Sequence, residues 1–469
     1  MTYQVPQHIS QDKIFIVKKS EIEGRLEPDF YKPSIASLEK KIRLLSTKRL
    51  RSYAQSFAGG ATPSKRESEK YYSDSENGVP FLRVQNLQTT GELLLDGCIY
   101  INEDTHNGLL KRSQVSEGDL LVKITGVGRM AIASVAPKDF VGNTNQHMVV
   151  IKTGNPSVSK YLAHYLNLDI IEQIASRHST GGTRPALDYP SLKNIPIIEG
   201  LDFSIIDNAI KVKTAKEAEA QQLLDSIDGY LLKELGITIP SVDDGLKNRI
   251  FLSSFSNIEG NRIDPKYNKQ IRYFQELYDS DTWKTLSSVS IVKGQYGANE
   301  AAIAYQEGDT RYIRITDIDE IGNLKAHDKK TAQYIDDAYL LNNEDILFAR
   351  SGSVGKCYLH RDVNPSIFAG YLIRFVLNKS VILPEFLFYY CNSSIYWYWV
   401  DTLHRPAVQA NINAEEYCGM PIPVPSINKQ QEIVDYIADI RARAKALQAE
   451  GKAILENAKR KVEQMIIGE

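Results

Sequence analysis

Paired cysteines are missing from this sequence. Its four cysteines, Cys98, Cys357, Cys391 and Cys418, include no CxxC pair. That excludes a disulfide framework and the usual cysteine zinc site, and it points to a reducing compartment. A surplus of one charge sign is missing too. The formal net charge is -2, so the chain as a whole does not advertise a polyanionic partner, although a local basic face would suffice for one. Long apolar runs are also absent. The most apolar stretch, 386–400, is interrupted by Asn392, Ser393 and Ser394, and no membrane span is expected. The opening MTYQVPQHISQDK has no apolar signal core, so a cytoplasmic location is expected.

Catalytic phrases are equally scarce. The Asn/Asp-Pro-Pro-aromatic phrase of an adenine methyltransferase does not occur, and Asn155-Pro156-Ser157 and Asn364-Pro365-Ser366 read as turns. Ser353-Val354-Gly355-Lys356-Cys357 is like the end of a phosphate-binding loop, but it lacks the leading glycine and the final Ser or Thr. There is no HExxH and no spaced Cys/His cluster. His147, after Asn145-Gln146, reads as a strand-end residue rather than a base. The expectation is therefore no catalytic residue, no metal site and no cofactor held by this chain.

What is present is a globular composition, 42% hydrophobic and 24% charged over 469 residues, enough for two to four domains. It is also a chain written twice. Ile22-Glu23-Gly24 answers Ile258-Glu259-Gly260, and Pro28 answers Pro265. Phe81-Leu82-Arg83 answers Tyr312-Ile313-Arg314, and Gly118-Asp119-Leu120-Leu121 answers Glu344-Asp345-Ile346-Leu347. Tyr161, Leu162 and Tyr165 answer Phe386, Leu387 and Tyr390, and Ile195-Pro196-Ile197 answers Met420-Pro421-Ile422. The slow drift of the offset is that of a duplicated domain with small loop deletions. Each half opens with short β-branched strands, such as 79–87, 119–125 and 148–152. A compact helix follows, expected over 159–175 and 384–400.

Each half then closes on a long proline-free stretch. In the second, Ile433, Ile437, Ile440, Ala444, Leu447, Ile454 and Ala458 follow alternating steps of four and three, with Gly451 as the weak position. This is a heptad seam of about four heptads. In the first, Ile206, Ile210, Ala220, Leu224, Ile227 and Leu231 fit the same frame, interrupted by Lys213 and Glu217. Two helices of about 35 residues would make a rod of roughly 50 Å. They are expected to pack antiparallel, Ile210, Leu224 and Leu231 against Ile440, Leu447 and Ile454. The fold class is thus α+β: two pseudo-repeated mixed α/β modules at 1–200 and 237–425, separated by antiparallel coiled-coil helices at 201–236 and 426–469.

Residues fit to read DNA sit in matching phrases. Lys123-Ile124-Thr125-Gly126-Val127-Gly128-Arg129 and Arg350-Ser351-Gly352-Ser353-Val354-Gly355-Lys356 combine glycines, which admit close backbone approach, with flanking cations. They supply Lys123, Thr125, Arg129, Arg350, Ser351 and Lys356 as candidates, each also compatible with an ordinary hairpin turn. Arg83 and Arg314 hold equivalent strand positions, fit either to contact DNA or to brace the fold. Thr183, Arg184, His404 and Arg405 lie in polar loops, and arginine is the usual bidentate partner of guanine. Tyr396, Trp397, Tyr398 and Trp399 are fit to stack on flipped bases but read more readily as module core or interface.

The phrases resemble those of type I restriction-modification specificity subunits. They are Gly59-Gly60-Ala61-Thr62-Pro63-Ser64, Val79-Pro80-Phe81-Leu82-Arg83-Val84, Asn145-Gln146-His147, Gly182-Thr183-Arg184-Pro185, and Pro421-Ile422-Pro423-Val424-Pro425 before Gln430-Gln431-Glu432-Ile433. The resemblance implies two target-recognition domains, each reading half of a split sequence in double-stranded DNA. It also implies two docked methyltransferase subunits carrying S-adenosylmethionine and two translocase-nuclease subunits using ATP and Mg. The second half departs from the pattern: in place of Gly-Gly-Ala-Thr-Pro it offers Lys293-Gly294-Gln295-Tyr296-Gly297. On sequence alone three alternatives stay open: a stand-alone coiled-coil DNA-binding regulator, the specificity part of a related restriction or phage-defence system, and an enzyme with an unrecognised centre.

Overall fold

The computed structural model describes residues 10, 12–46, 48–240, 252, 262–278, 282–403 and 410–468. The chain divides into two compact units, 1–217 with 448–469, and 218–447. In the first, a four-stranded antiparallel sheet runs in the order Ser56–Gly59, Met148–Lys152, Leu120–Lys123, Ala133–Val135. Its inner strands are continuous apolar runs because both faces are covered. Leu120, Val122, Val149 and Ile151 pack with Leu162, Tyr165, Ile171 and Ile174 of two helices. Leu121, Met148 and Val150 pack on the opposite face with Leu82, Val115 and Phe140. Leu82 and Val115 belong to a second, five-stranded sheet, in which Val79–Leu82 runs parallel to Val141–Thr144.

The second unit repeats this grammar. Ser290–Tyr296, Leu372–Leu377, Ile346–Ala349 and Cys357–Leu359 form the four-stranded sheet, and Arg311–Ile313 runs parallel to Ser366–Phe368. The correspondence extends to single atoms. The Tyr165 hydroxyl donates to the Pro196 carbonyl at 2.9 Å, and the Tyr390 hydroxyl to that of Pro421 at 2.8 Å. Asp119 and Asp345 each accept the backbone N–H three residues back at 2.8 Å, from Ser116 and Asn342. Each carboxylate also meets a cation on the neighbouring strand, Lys152 at 2.8 Å and Arg374 at 2.9 Å. The preceding residue is left-handed in both, Gly118 (φ 76°) and Glu344 (φ 72°).

The regions expected as one compact helix are each two. Pro156–Leu166 is followed by Asp169–Arg177, and Pro384–Tyr390 by Ser394–Leu403. At the first break Asn167 turns its side chain onto the sheet: it accepts from the Ala133 N–H at 3.1 Å and donates to the Ala133 carbonyl at 2.7 Å. The second helix of each pair has its open N-terminus capped by a carboxylate from a long helix. Glu463 accepts from the Asp169 and Ile170 N–H groups. Asp228 accepts from the Ser394 N–H at 2.8 Å and hydroxyl at 2.5 Å. A carboxylate there satisfies orphan donors and meets the positive end of the helix dipole.

The long helices are Ser204–Glu234 and Ile427–Ile467. In the second unit Tyr230 stacks on Tyr436 with ring centroids 3.9 Å apart, and Glu234 pairs with Lys429 at 2.5 Å. Rising numbers on one helix meet falling numbers on the other, so they run antiparallel here. Ile433, Ile437, Ile440 and Ala444 are buried as the heptad requires, whereas Leu447, Leu224 and Ile454 are only half-buried. In the first unit, past Gly451, the buried set is Leu455, Ala458, Val462 and Ile466, sharing a core with Ile206, Ala209 and Ile210. The seam therefore passes through Leu455, one position beyond the expected Ile454. Consecutive steps of four accommodate the drift of a 3.6-residue helix from a 3.5-residue repeat. Gly451 is no weak point: a Cβ there would stand 3.3 Å from the Lys213 Cα. It admits close approach of the two helices beneath Lys213, whose ammonium pairs with Glu217 at 2.6 Å.

One ion cluster ties the helix Pro33–Leu45 into the first unit. Glu39, 2% exposed, is held by Arg43, Arg177 and His178. Burial alone would raise its pKa. The bonds and charges of His178, Arg177 and Arg43 outweigh that and hold it at about 2, against an ordinary 4.5. A depressed carboxyl contributes stability that is present above the unfolded value and lost as pH falls through the folded one. Thermal melts of the wild type should therefore lose on the order of 3 kcal/mol between about pH 4.5 and 2 through this group. Glu39→Gln should start less stable at neutral pH and lack that part of the acid slope. Parallel pH profiles for the two proteins would refute the assignment.

Candidate nucleic-acid interface

Loops from both sheets of the first unit gather at one end of the four-stranded sheet. Ile124 donates its N–H to the His147 carbonyl at 2.9 Å, and Gly126 donates to that of Pro185 at 3.0 Å. These bonds join the 124–130 turn to the 145–147 segment and to the 180–186 loop. The Thr62 hydroxyl donates to Gln146 Oε1 at 2.6 Å, bringing in the glycine loop 59–63. Gly60 makes that approach possible, because a Cβ there would lie 1.7 Å from the Thr144 carbonyl oxygen. Thr183, Arg184 and Gln146 are exposed. Burial and then the nearby Arg184 charge lower the His147 pKa, so the imidazole is neutral at physiological pH and can accept or donate a hydrogen bond.

The second unit builds the same end. Arg350 donates its N–H to the Tyr371 carbonyl at 3.0 Å, and Ser351 bridges to Asn411. Gly297 does here what Gly60 does in the first unit: its Cβ would stand 2.4 Å from the carbonyl oxygens of both Ala369 and Phe368. The 293–297 segment, which the sequence left as a doubtful counterpart, is thus the structural equivalent of the glycine loop. The turn also matches. Ala131 (φ 53°) and Gly355 (φ 89°) both adopt the left-handed conformation as the turn re-enters its strand.

The expected cations are placed unevenly. Lys123 is 3% exposed, and its ammonium donates to the Val127 carbonyl at 2.8 Å. Burial lowers its pKa, and the side chain holds the turn closed from within instead of facing solvent. Arg129 pairs with Asp169 and donates to the Asn167 carbonyl at 2.6 Å. Lys356, 8% exposed, pairs with Glu320 at 2.7 Å. Arg314 is engaged by Asp317 at 2.7 Å and by Asp328, and Arg83 by the Gly97 carbonyl at 3.4 Å. All five thus have partners within their own modules; Asp317 beside Arg314 is buried, whereas Glu320 beside Lys356 is exposed. Thr125 and Ser351 are half-buried at matching bridge positions, and Arg350 lies 4.9 Å over the Tyr296 ring. His404 and Arg405 lie outside the described residues. Gln146 and Thr62 were quoted in the sequence only as parts of phrases, and Tyr371, 63% exposed at the position of His147, was not singled out. Their roles depend on neighbours that sequence order does not reveal.

Residues 282–457 match the family of the type I restriction modification DNA specificity domain. The matched segment lies almost wholly in the second unit. It starts with the strand Trp283–Thr285 of the second unit and continues into the long helix Ile427–Ile467. The chain is also similar to the type I restriction enzyme EcoBI specificity subunit of Escherichia coli, 26% identical over 140 residues, which are 29% of each protein. The match therefore spans less than a third of that relative. Among solved structures, a chain of a type I restriction-modification system is 15% identical with a TM-score of 0.40. The type I system S subunit from M. genitalium is 13% identical with a TM-score of 0.37. Both alignments cover 89% of this chain and 95% of the other. The first unit lies outside the matched family segment except for 448–457. Its likeness to the second unit rests on the shared sheet order, the parallel strand pair, the Asp119/Asp345 turn and the Gly60/Gly297 approach.

Proposed function

We propose that the chain is the DNA-recognition subunit of a type I restriction-modification complex and has no catalytic centre of its own. Each module reads one half of a split target in double-stranded DNA. The long helices seat two methyltransferase subunits, which hold S-adenosylmethionine, and two translocase-nuclease subunits contribute ATP- and Mg-dependent restriction. The assembly works in the cytoplasm, away from membranes; among the described residues no helix is long and apolar enough to cross one. One observation carries the reading: the same loop-built end occurs twice, with different exposed side chains on an equivalent frame. Arg184, Thr183 and Gln146 are exposed in one copy, and Tyr371 in the other. A shared frame with divergent tips is what two readers of different sequences require.

The test is methylation by the assembled complex, mapped across a random-sequence library. Exchanging residues 20–200 for those of a relative should change one half-site and leave the other intact. Arg184→Ala should relax one position within that same half-site, at a cost of about 1–3 kcal/mol. A continuous target, or an exchange that alters both halves together, would overturn the two-reader model.

A further inference from the structure

We infer that each module carries an arginine–tyrosine corner that grips a DNA phosphodiester, Arg112 with Tyr189 in the first and Arg350 with Tyr296 in the second. The inference deepens the function proposed above and rests on it. Arg112 lies in the short turn Lys111–Ser113 and is exposed. Its Nε donates to the Gly59 carbonyl at 3.2 Å. That bond fixes the guanidinium plane, and among the described residues Arg112 enters no ion pair. It contrasts with Arg129, Arg314 and Lys356, whose charges are spent on carboxylates. A guanidinium pinned at Nε still presents its terminal N–H groups as a fork matched to phosphate oxygens. Tyr189 reaches the same spot: its hydroxyl stands 2.4 Å from where a Cβ on Gly59 would be, so a side chain there would push the tyrosine aside. Arg112 is close enough to Tyr189 to oppose the upward shift that burial gives its pKa, and the hydroxyl stays a neutral donor.

The second module reaches the same arrangement from other residues. The position of Gly59 is taken there by Tyr296, the residue before Gly297. Its hydroxyl accepts from the Ala414 N–H at 3.1 Å, at the start of the helix Ala414–Cys418. That helix corresponds to Tyr189–Lys193: each begins after a capping side chain, Asp188 and Asn413. One tyrosine thus runs from helix to strand and the other from strand to helix. Arg350 completes the second corner, 4.9 Å over the Tyr296 ring. Packing alone does not require an arginine and a tyrosine at the same corner from non-equivalent positions. A shared polyanionic ligand at that end of each sheet does.

The experiment measures binding of the full-length chain, assembled with its methyltransferase subunit, to labelled duplexes from 50 to 200 mM salt. Arg112→Ala and Arg350→Ala should each weaken binding to all sequences alike and reduce the salt slope by about one, and the double variant by about two. The advantage of wild type over each single variant should shrink about three- to fourfold across that salt range. Arg112→Lys and Arg350→Lys, which keep the charge, should retain the slope, and melting curves check that every variant is folded. Wild-type slopes in the folded alanine variants would overturn the corner. So would an unchanged slope with selectivity lost at one base, which would make the arginine a base reader. A wild-type complex that binds no DNA would bring down the proposed function together with the corner.

Discussion

Gly60→Ala should cost the first module about 3 kcal/mol or more, and Gly297→Ala should do the same to the second. The added methyl would sit 1.7 Å from the Thr144 carbonyl oxygen at one site and 2.4 Å from the carbonyls of Phe368 and Ala369 at the other. Neither obstacle is the end of a flexible side chain. Thr144 and Phe368 are backbone partners in the parallel pairs with Leu82 and Ile313. The clash can be relieved only by moving a ladder, which places it at the severe end of overpacking. Thermal unfolding should show one destabilised transition in each variant. Methylation mapping should show loss of the corresponding half-site with the other retained. Wild-type melting of both variants would show that the loop is not seated as described, and a loss confined to Gly60→Ala would break the equivalence of the two loops.

A second large effect separates two positions that the heptad treats alike. Ile437 is fully buried in a core with Leu231 and Ile433, whereas Leu447 is only half-buried. Ile437→Asp would force an unpaired carboxylate into that core at a cost of about 3–5 kcal/mol. Leu447→Asp leaves its carboxylate access to water and should cost about 1 kcal/mol. Urea denaturation of both variants decides the matter. Equal losses would mean that the seam continues through Leu447 as a regular heptad predicts.

The module-scale plan was legible before any coordinates. Short β-branched runs, the Pro-Ile-Pro and Gly-Asp-Leu-Leu phrases and the long proline-free stretches report local preferences, and duplication let each half check the other. The burial pattern of Ile433, Ile437, Ile440 and Ala444 was legible for the same reason, since a helix period is a local property. Gly451 was misread because sequence shows only the missing side chain, not the partner helix that fills its place at Lys213.

The candidate interface was legible only as a neighbourhood. Lys123 and Lys356 look like surface cations in a glycine-rich turn, yet one closes the turn through the Val127 carbonyl and the other answers Glu320, 36 residues away. Which way a lysine points depends on carbonyls and carboxylates that arrive from elsewhere in the chain. The segment ending in Gly297 stayed a doubtful counterpart of the Gly60 loop because a steric requirement leaves no phrase, only a glycine, and the contact it permits is with a distant strand. The sequence by itself determined two modules, two long helices and the order of their parts, since periodicity and turn chemistry act over a few residues. Tertiary structure alone decided which cations stay available, which glycines are obligatory and where Arg112 meets Tyr189, because those outcomes rest on contacts between segments tens of residues apart.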